Sequence, residues 1–276
     1  MSAAVASSAS IDPRAIVAPG AQLGEGVTIG PWCTVGPDVV LGARVRLLSH
    51  VVVDGRTRIG EDATIYPFAT VGLPPQDLKY KGEPTHTEIG PRTVVREHVT
   101  IHRGTVTGTG VTRVGAGCLL MAVVHVAHDC VVGDGAVIAN NVVMGGHVEI
   151  GDGAVIGGSA ALHQFVRIGR GAMVGGVSGV EADVIPFGMV LGNRARLSGL
   201  NVIGLRRRGL ARASIAALRV AVRELFGGAG AFADRLAALK ALPDPDPLVA
   251  EMLAFATAPS HRGLIRAALG ADDQED

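Results

Sequence analysis

The stretch IDPRAIVAPGAQLGEGVTIGPWCTVGPDVVLGARVRLL, residues 11–48, decides the fold. Every sixth residue in it is a large aliphatic: Ile11, Val17, Leu23, Ile29, Val35, Leu41 and Leu47. The series runs on through Val53, Ile59, Ile65 and Val71, resumes at Ile89, Val95 and Ile101, and meets Thr107, where it shifts by one residue. It then continues from Val114 through Leu120, Val126, Val132, Ile138, Met144, Ile150, Ile156, Leu162, Ile168 and Val174 to Val180. Four residues after each aliphatic stands a small or β-branched residue, as at Ala15, Ala21, Val27, Cys33 and Val39 and again at Cys118, Val124, Cys130 and Ala136. A large and a small side chain alternating inward suit a narrow solenoid of short parallel strands, with glycine or a polar residue turning each corner. Three hexads make one triangular coil.

Composition agrees. The chain has 276 residues, 48% hydrophobic and only 3% aromatic, so a regular aliphatic interior takes the place of an aromatic-rich core. A formal net charge of zero gives no general reason to expect nucleic acid or an anionic membrane as partner, so any basic site is local. No apolar run is long enough to span a bilayer, and residues 1–10 hold neither a basic leader nor an apolar centre, so membrane insertion and secretion are not expected and a cytoplasmic location is. The three cysteines, Cys33, Cys118 and Cys130, lack zinc-ligand spacing and all take the small inward position, which predicts inert, packed thiols.

Two segments break the rhythm. Residues 73–88, LPPQDLKYKGEPTHTE, are polar with three prolines and are expected to form a loop thrown out from the coil. The segment 107–113 is shorter and rich in glycine and threonine. Beyond Pro186 the hexads stop, and the Ala-, Leu- and Arg-rich remainder reads as helices over 214–226, 231–242 and 247–257. This divides the chain into a solenoid over 1–190 and a helical domain over 191–276.

The coil of three hexads converts spacing into position, because residues one full coil apart lie one strand spacing, about 4.8 Å, from each other. Ala127, His128 and Asp129 then fall under Gly145, Gly146 and His147, and these under His163, Gln164 and Phe165, with His125 just before the patch. None of these histidines takes an inward position. The patch could bind a metal or do acid–base work. For the latter, His128 suits proton abstraction near neutral pH, Asp129 beside it can orient the ring, and Gly146 leaves a backbone N–H open to a developing oxyanion. Read this way, the patch is built for acyl transfer to a hydroxyl.

The segments PPQDLKYKGEPT (74–85), VTIHRGT (99–105), VHVAHDC (124–130), GGHV (145–148), LHQFVRIG (162–169), GGVSGV (175–180), GLNVIGLRRRG (199–209) and HRGLIR (261–266) resemble, in this order and over nearly the whole chain, the UDP-N-acetylglucosamine 3-O-acyltransferases that open lipid A biosynthesis. The resemblance implies a mainly β fold, a left-handed parallel β-helix of hexapeptide repeats with a C-terminal α-helical domain, assembled as a homotrimer with clefts between coils. It implies no cofactor and no metal. His128 would take the proton of the sugar 3-hydroxyl, Asp129 would orient it, Gly146 would hold the oxyanion, and the donor would be a 3-hydroxyacyl chain on acyl carrier protein. Gln76, Asp77 and Lys79 would position sugar and donor, His102, His125, His147, His163 and Gln164 would line the pocket, and Asn201, Arg207 and Arg208 would lie near the nucleotide diphosphate or the carrier protein. Gly176 matches the position that limits acyl length, and a glycine there predicts a long chain. Ile203 and Arg194 depart from the family, which often has glutamate and histidine there.

Other readings compete on the same fold. A zinc-dependent hydratase of the carbonic anhydrase type would draw ligands from His125, His128, His147 and His163. The related N-acyltransferase of the same pathway carries an extra N-terminal domain, and a 3-amino analogue of the sugar would offer its nucleophile to the same base. A scaffold solenoid would not need histidines gathered off the core.

Overall fold

The computed structural model describes residues 4–5 and 8–267. Short strands, most of two residues, follow one another around a triangular coil, and within the coil they pair in parallel with the strand one coil away, for example Thr28 with Arg46 and Val137 with Val155. The three faces, A, B and C in the order the chain visits them, hold nine, eleven and nine strands among the described residues. The aliphatic series points inward as expected: Ile29, Leu47, Ile65, Leu120, Ile138, Ile156 and Val174 are at most 1% exposed. The small positions are equally buried, from Ala21, Val27 and Cys33 to Ala160 and Ala172.

Most corners place a residue with a left-handed backbone immediately before the small inward position. Glycine takes this place at much of the A–B corner, as at Gly117, Gly135, Gly153 and Gly171, whereas Trp32, His50, Phe68, His98, Val123, Asn141, Ser159 and Val177 mark the B–C corner, and Asp129, His147 and Phe165 the C–A corner. The conformation costs an L-residue about 1–2 kcal/mol, which burial of one inward aliphatic, about 2 kcal/mol, offsets.

The two breaks in the rhythm are both insertions at the C–A corner. Val52 pairs with Thr70 across a regular coil of three hexads, but Thr70 pairs with Thr100, five hexads on, and Thr100 with His125, four hexads and one residue on. The first insertion therefore adds two whole hexads to the coil, and the second adds one hexad and a single residue. Two expectations are corrected. The strand resumes at His86, before the expected loop end, because Thr87 turns inward and pairs with Thr57 and Thr112. Thr107 is not a hexad position shifted by one: the chain leaves face C after Ile101 and re-enters at Val111–Val114 on face A, with Thr107 on the exposed insertion between.

After Pro186 the chain does not turn at once to helix. Gly188–Leu191 pairs with the edge of face B, and Arg196–Leu200 returns antiparallel to it, so the sheet runs through the division expected at residue 190. Four helices follow: α1 (Val202–Arg207), which the hexad count did not foresee, then α2 (Arg212–Gly227), α3 (Phe232–Lys240) and α4 (Pro247–Thr257). The last docks on the coil through ion pairs. Arg170 pairs with Glu251 of α4, while Arg167 meets the buried Asp183 at 2.7 Å and lays its guanidinium 4.5 Å from the Phe255 ring. No described helix is long and apolar enough to cross a membrane.

All three cysteines are free and buried. Burial pushes the Cys130 thiol up to about 12 and raises Cys33 and Cys118 as well. A thiol reagent added to native protein at pH 8 is therefore expected to label none of them, and to label all three after denaturation; rapid labelling of the native chain would contradict the packing.

Candidate active site at one corner of the coil

The C–A corner gathers the polar groups. His128 precedes the left-handed Asp129, and the next coils place His147 and Phe165 in the same corner position, with φ of 58°, 62° and 65°. The corner turns also tie the coils together: His147 N donates to His128 O at 3.0 Å and Phe165 N to Gly146 O at 3.0 Å. His147 stacks on Phe165 with ring centres 4.4 Å apart and meets His128 edge-on at 5.0 Å. The three-hexad spacing thus places His128, Asp129, Gly146 and His147 together.

Asp129 is the hub of this group. Its carboxylate is fully buried and lies 2.9 Å from His128 Nδ1. The second insertion wraps around it: Thr105 donates through its backbone N–H and, at 2.6 Å, its hydroxyl, Thr109 donates its hydroxyl, and Gly110 its N–H at 2.9 Å. Burial works to raise the Asp129 pKa, but the hydrogen bonds from His128 and Thr105 outweigh it and hold the carboxyl well below the usual carboxylate range. An ionised carboxylate can only accept, so Nδ1 of His128 carries the proton and Nε2 is left with its lone pair. That nitrogen faces Gly146, where an added Cβ would come within 2.6 Å of it. Gly146 N is absent from the corner bonds that engage Gly145 N with Leu162 O and His147 N with His128 O. Gly108 is similarly confined, since a Cβ there would collide with the Asp129 carboxylate and the His147 ring. Thr105 closes the VTIHRGT segment but was given no role there, and for Gly108, Thr109 and Gly110 the interruption of the hexads was the only signal.

Beside this hub, on face C, His125 and His102 meet edge-on at 4.9 Å, and His125 Nδ1 is 2.7 Å from the Thr100 hydroxyl. Burial, helped by the neighbouring His125 and His128, pushes His102 down to about 4. Burial lowers His125 and His147 too, the latter against the opposing charges of Asp129 and of Asp77 in the long insertion. The base of that insertion is clamped by Arg103, whose Nε donates to Gly72 O at 2.7 Å. Gln76 and Lys79 are exposed, Asp77 is half-buried, and Leu78 between them is 96% exposed. One coil above Gly146, His163 and Gln164 are exposed, held by Arg262, whose Nη2 lies 2.6 Å from His163 Nδ1 and whose Nε donates to Gln164 O.

Other expected site residues lie elsewhere in the chain. Gly176 is exposed on the B–C corner, where an added Cβ would meet only the Gly158 backbone, at 3.3 Å or more. Asn201 caps α1, accepting from Gly204 N and donating to Gly171 O, and Arg208 donates to Gly153 O, which sets both at the A–B corner with the exposed Arg207 and Ile203 nearby on α1. Arg194 is exposed in the turn of the hairpin that follows the coil.

Residues 183–265 match the family described as UDP N-acetylglucosamine O-acyltransferase, domain 2, and residues 112–146 the bacterial transferase hexapeptide family. An acyl-acyl-carrier-protein–UDP-N-acetylglucosamine O-acyltransferase of Caulobacter vibrioides is 55% identical over 226 residues, covering 82% of this chain and 86% of its own. The chain belongs to this acyltransferase family. A relative of the same name from Azorhizobium caulinodans is 51% identical over 86% of this chain and 88% of its own. Among solved structures, the UDP-N-acetylglucosamine acyltransferase of Bacteroides fragilis matches with a TM-score of 0.89 at 37% identity, covering 93% of this chain and all of that one. That of Moraxella catarrhalis matches with 0.82 at 43%, covering 95% and 100%. The coil is accordingly the left-handed parallel β-helix of hexapeptide repeats, and the protein is an acyltransferase.

The hydratase reading does not fit this enzyme. His128, Asp129 and His147 offer atoms within 4.8 Å of one another, but the Asp129 oxygens are already engaged by the Thr105 loop and His128. Among the described residues, His125 and His163 do not belong to this trio. The donor set suits proton transfer.

A histidine whose folded pKa is depressed stays neutral while the unfolded chain takes up protons, so stability falls as pH drops from the ordinary value of 6.5 towards about 4 for His102. The enzyme is expected to lose thermal stability across this window, and His102→Asn to lose less of it. Equal slopes of Tm against pH in the two proteins would exclude His102 as a contributor.

Proposed function

We propose that this enzyme transfers a 3-hydroxyacyl chain from acyl carrier protein to the 3-hydroxyl of UDP-N-acetylglucosamine, the reaction that opens lipid A biosynthesis, with His128 as general base. The observation that carries the reading is the His128 ring, bonded through Nδ1 to a buried, ionised Asp129 with Nε2 turned towards Gly146. In this mechanism Nε2 removes the proton of the sugar hydroxyl as its oxygen attacks the thioester carbon. The carbonyl oxygen gains the negative charge and takes a hydrogen bond from Gly146 N–H. The C–S bond then breaks as the carbonyl re-forms, and the proton passes from His128 to the departing sulfur. Asp129 stabilises the imidazolium between the two proton transfers, and the Thr105 loop keeps Asp129 in place.

His102, His125, His147, His163 and Gln164 line the acceptor pocket in this reading, and Gln76, Asp77 and Lys79 close over it from the long insertion. The enzyme works as a homotrimer in the cytoplasm. Two observations support the trimer. His128 and Gly176 stand at two different corners of the solenoid and Arg208 against the third, so a site that uses all of them draws on more than one copy. Ile16, Val123, Val143 and Val177, on or beside face C, are exposed apolar residues that a neighbour would cover. Asn201, Arg207 and Arg208 then serve the nucleotide of an adjacent copy, and Gly176 lies along the acyl chain.

His128→Ala is expected to lower kcat by about two to four orders of magnitude, the usual contribution of a general base, while the trimer persists by light scattering. Near-normal turnover would exclude His128 as the base. Gly176→Met is expected to shift preference towards shorter hydroxyacyl donors when a ladder of acyl carrier proteins competes in one assay; an unchanged product distribution would remove Gly176 from the chain-length site.

A further inference from the structure

Three consecutive backbone amides at the C–A corner serve three different partners. Arg103 N donates to Leu73 O at 3.1 Å, where the long insertion leaves face C, and Gly104 N donates to His86 O at 3.1 Å, where the insertion returns. Thr105 N donates to the Asp129 carboxylate. The returning end is gripped a second time, since His86 N donates to Gly110 O at 2.9 Å while Gly110 N donates to Asp129 at 2.9 Å. Gly104 and Gly110 lie against each other, so that an added Cβ on Gly104 would run into the Gly110–Val111 peptide. The two insertions are thus locked together at their bases, and the shorter one carries the donors that hold Asp129.

One side chain closes this lock. At Gly72 an extra residue bulges from face C, so that Leu73 lies opposite His102. Gly72 has a φ of 79°, and an added Cβ there would strike the Thr57 hydroxyl and Asp54 O. Arg103 grips the bulge: its Nε donates to Gly72 O at 2.7 Å and its Nη2 to the Asp54 carboxylate at 3.2 Å. Gly55 leaves it room, since a Cβ on that residue would come within 2.6 Å of the guanidinium carbon. A planar fork that holds a carbonyl and a carboxylate together fixes direction as well as distance.

We propose that Arg103 is a positioning residue for the transfer reaction: it seats the long insertion and, through the backbone of residues 103–105, makes the alignment of Asp129 and His128 depend on that seat. The inference rests on the acyl-transfer reading and adds to it a link between the segment that closes over substrate and the pair that moves the proton. Every N–H from Arg103 to Thr105 is engaged, so a displacement of Leu73 or His86 reaches the Asp129 donors within two residues. Arg103 acts through these neighbours, its own side chain being spent on Gly72 and Asp54.

The test compares the full-length wild type with Arg103→Gln, Thr105→Val and the double variant. Arg103→Lys, which keeps the charge without the planar fork, is measured alongside and replaces Arg103→Gln throughout if that variant does not fold. Arg103→Gln is expected to raise the KM for UDP-N-acetylglucosamine and also to lower kcat about tenfold, as misplacement of a pair that works by geometry would, with Arg103→Lys between it and the wild type. In the Thr105→Val background the same change is expected to cost less than about twofold in kcat, because both residues act on one carboxylate. Hydrogen–deuterium exchange is expected to quicken over residues 103–111 in Arg103→Gln and to stay unchanged over 155–174. A raised KM with kcat within about twofold of wild type overturns the inference and leaves Arg103 a loop anchor. Additive losses in the double variant, or unchanged exchange over 103–111, overturn it as well. A wild-type enzyme that transfers no acyl group, with exchange over 103–111 still governed by Arg103, would sustain the link and remove the proposed reaction instead.

Discussion

The buried Asp129 carboxylate is the interaction on which the rest of the site depends. A carboxylate taken out of water is costly unless donors surround it, and this one collects them from two sources, the ring of its neighbour His128 and the insertion that carries Thr105, Thr109 and Gly110, while the Asp129 backbone N–H donates to the Thr112 hydroxyl at 2.8 Å. The insertion therefore has a physical reason to interrupt the hexads. A regular rung could offer no such set of N–H and hydroxyl groups at an outer corner, because its backbone donors are committed to the neighbouring coils. The ionised carboxylate in turn sets the tautomer of His128, which leaves Nε2 facing Gly146.

The scaffold contributes rigidity and repetition. Each coil is held by parallel pairing on three faces and by stacked aliphatics, so outer corner positions recur at nearly constant height and orientation. Left-handed residues at the corners, including the β-branched Val123 and Val177, are tolerated because the coils on either side leave the chain no other path. A corner in this conformation directs its side chain outward, which is how Asp129, His147 and Phe165 come to form one column. Glycine fills the gaps between such columns where another side chain already stands, as at Gly108 and Gly146.

One coil has three corners and the chemistry occupies one of them. The long insertion, the Thr105 loop and the histidine column all belong to the C–A corner, stacked along the coil axis. Gly176 and the α1 cap lie at the other two. In the proposed reading, this division leaves one chain short of a whole site, and the exposed apolar residues beside face C are where a second copy would sit.

Much of this was legible in the sequence. A period of six with a large and a small inward residue admits few folds, because side chains of alternating size must fill a fixed, narrow triangular section, and the same period placed His128, Gly146 and His147 together before any coordinates. The period was silent where the chain left it. Because the long insertion adds whole hexads, it left the count in phase, so the count did not show that two hexads' length lies outside the coil. The second insertion, a hexad and one residue more, looked like a slip of one. The hairpin that begins at Gly188 and the short helix α1 were hidden for a related reason: once the hexads stop, only long-range pairing with the edge of face B shows that the sheet continues. Local spacing therefore determined the coil, the inward thiols and the column of the candidate site. Only the tertiary structure decided what surrounds Asp129, which corner each remaining group occupies, and that Arg194 and Arg196 of the hairpin line one cavity with Arg262 and Arg266, which follow only after four helices. Those contacts join segments that share no period, and a repeat carries no information about them.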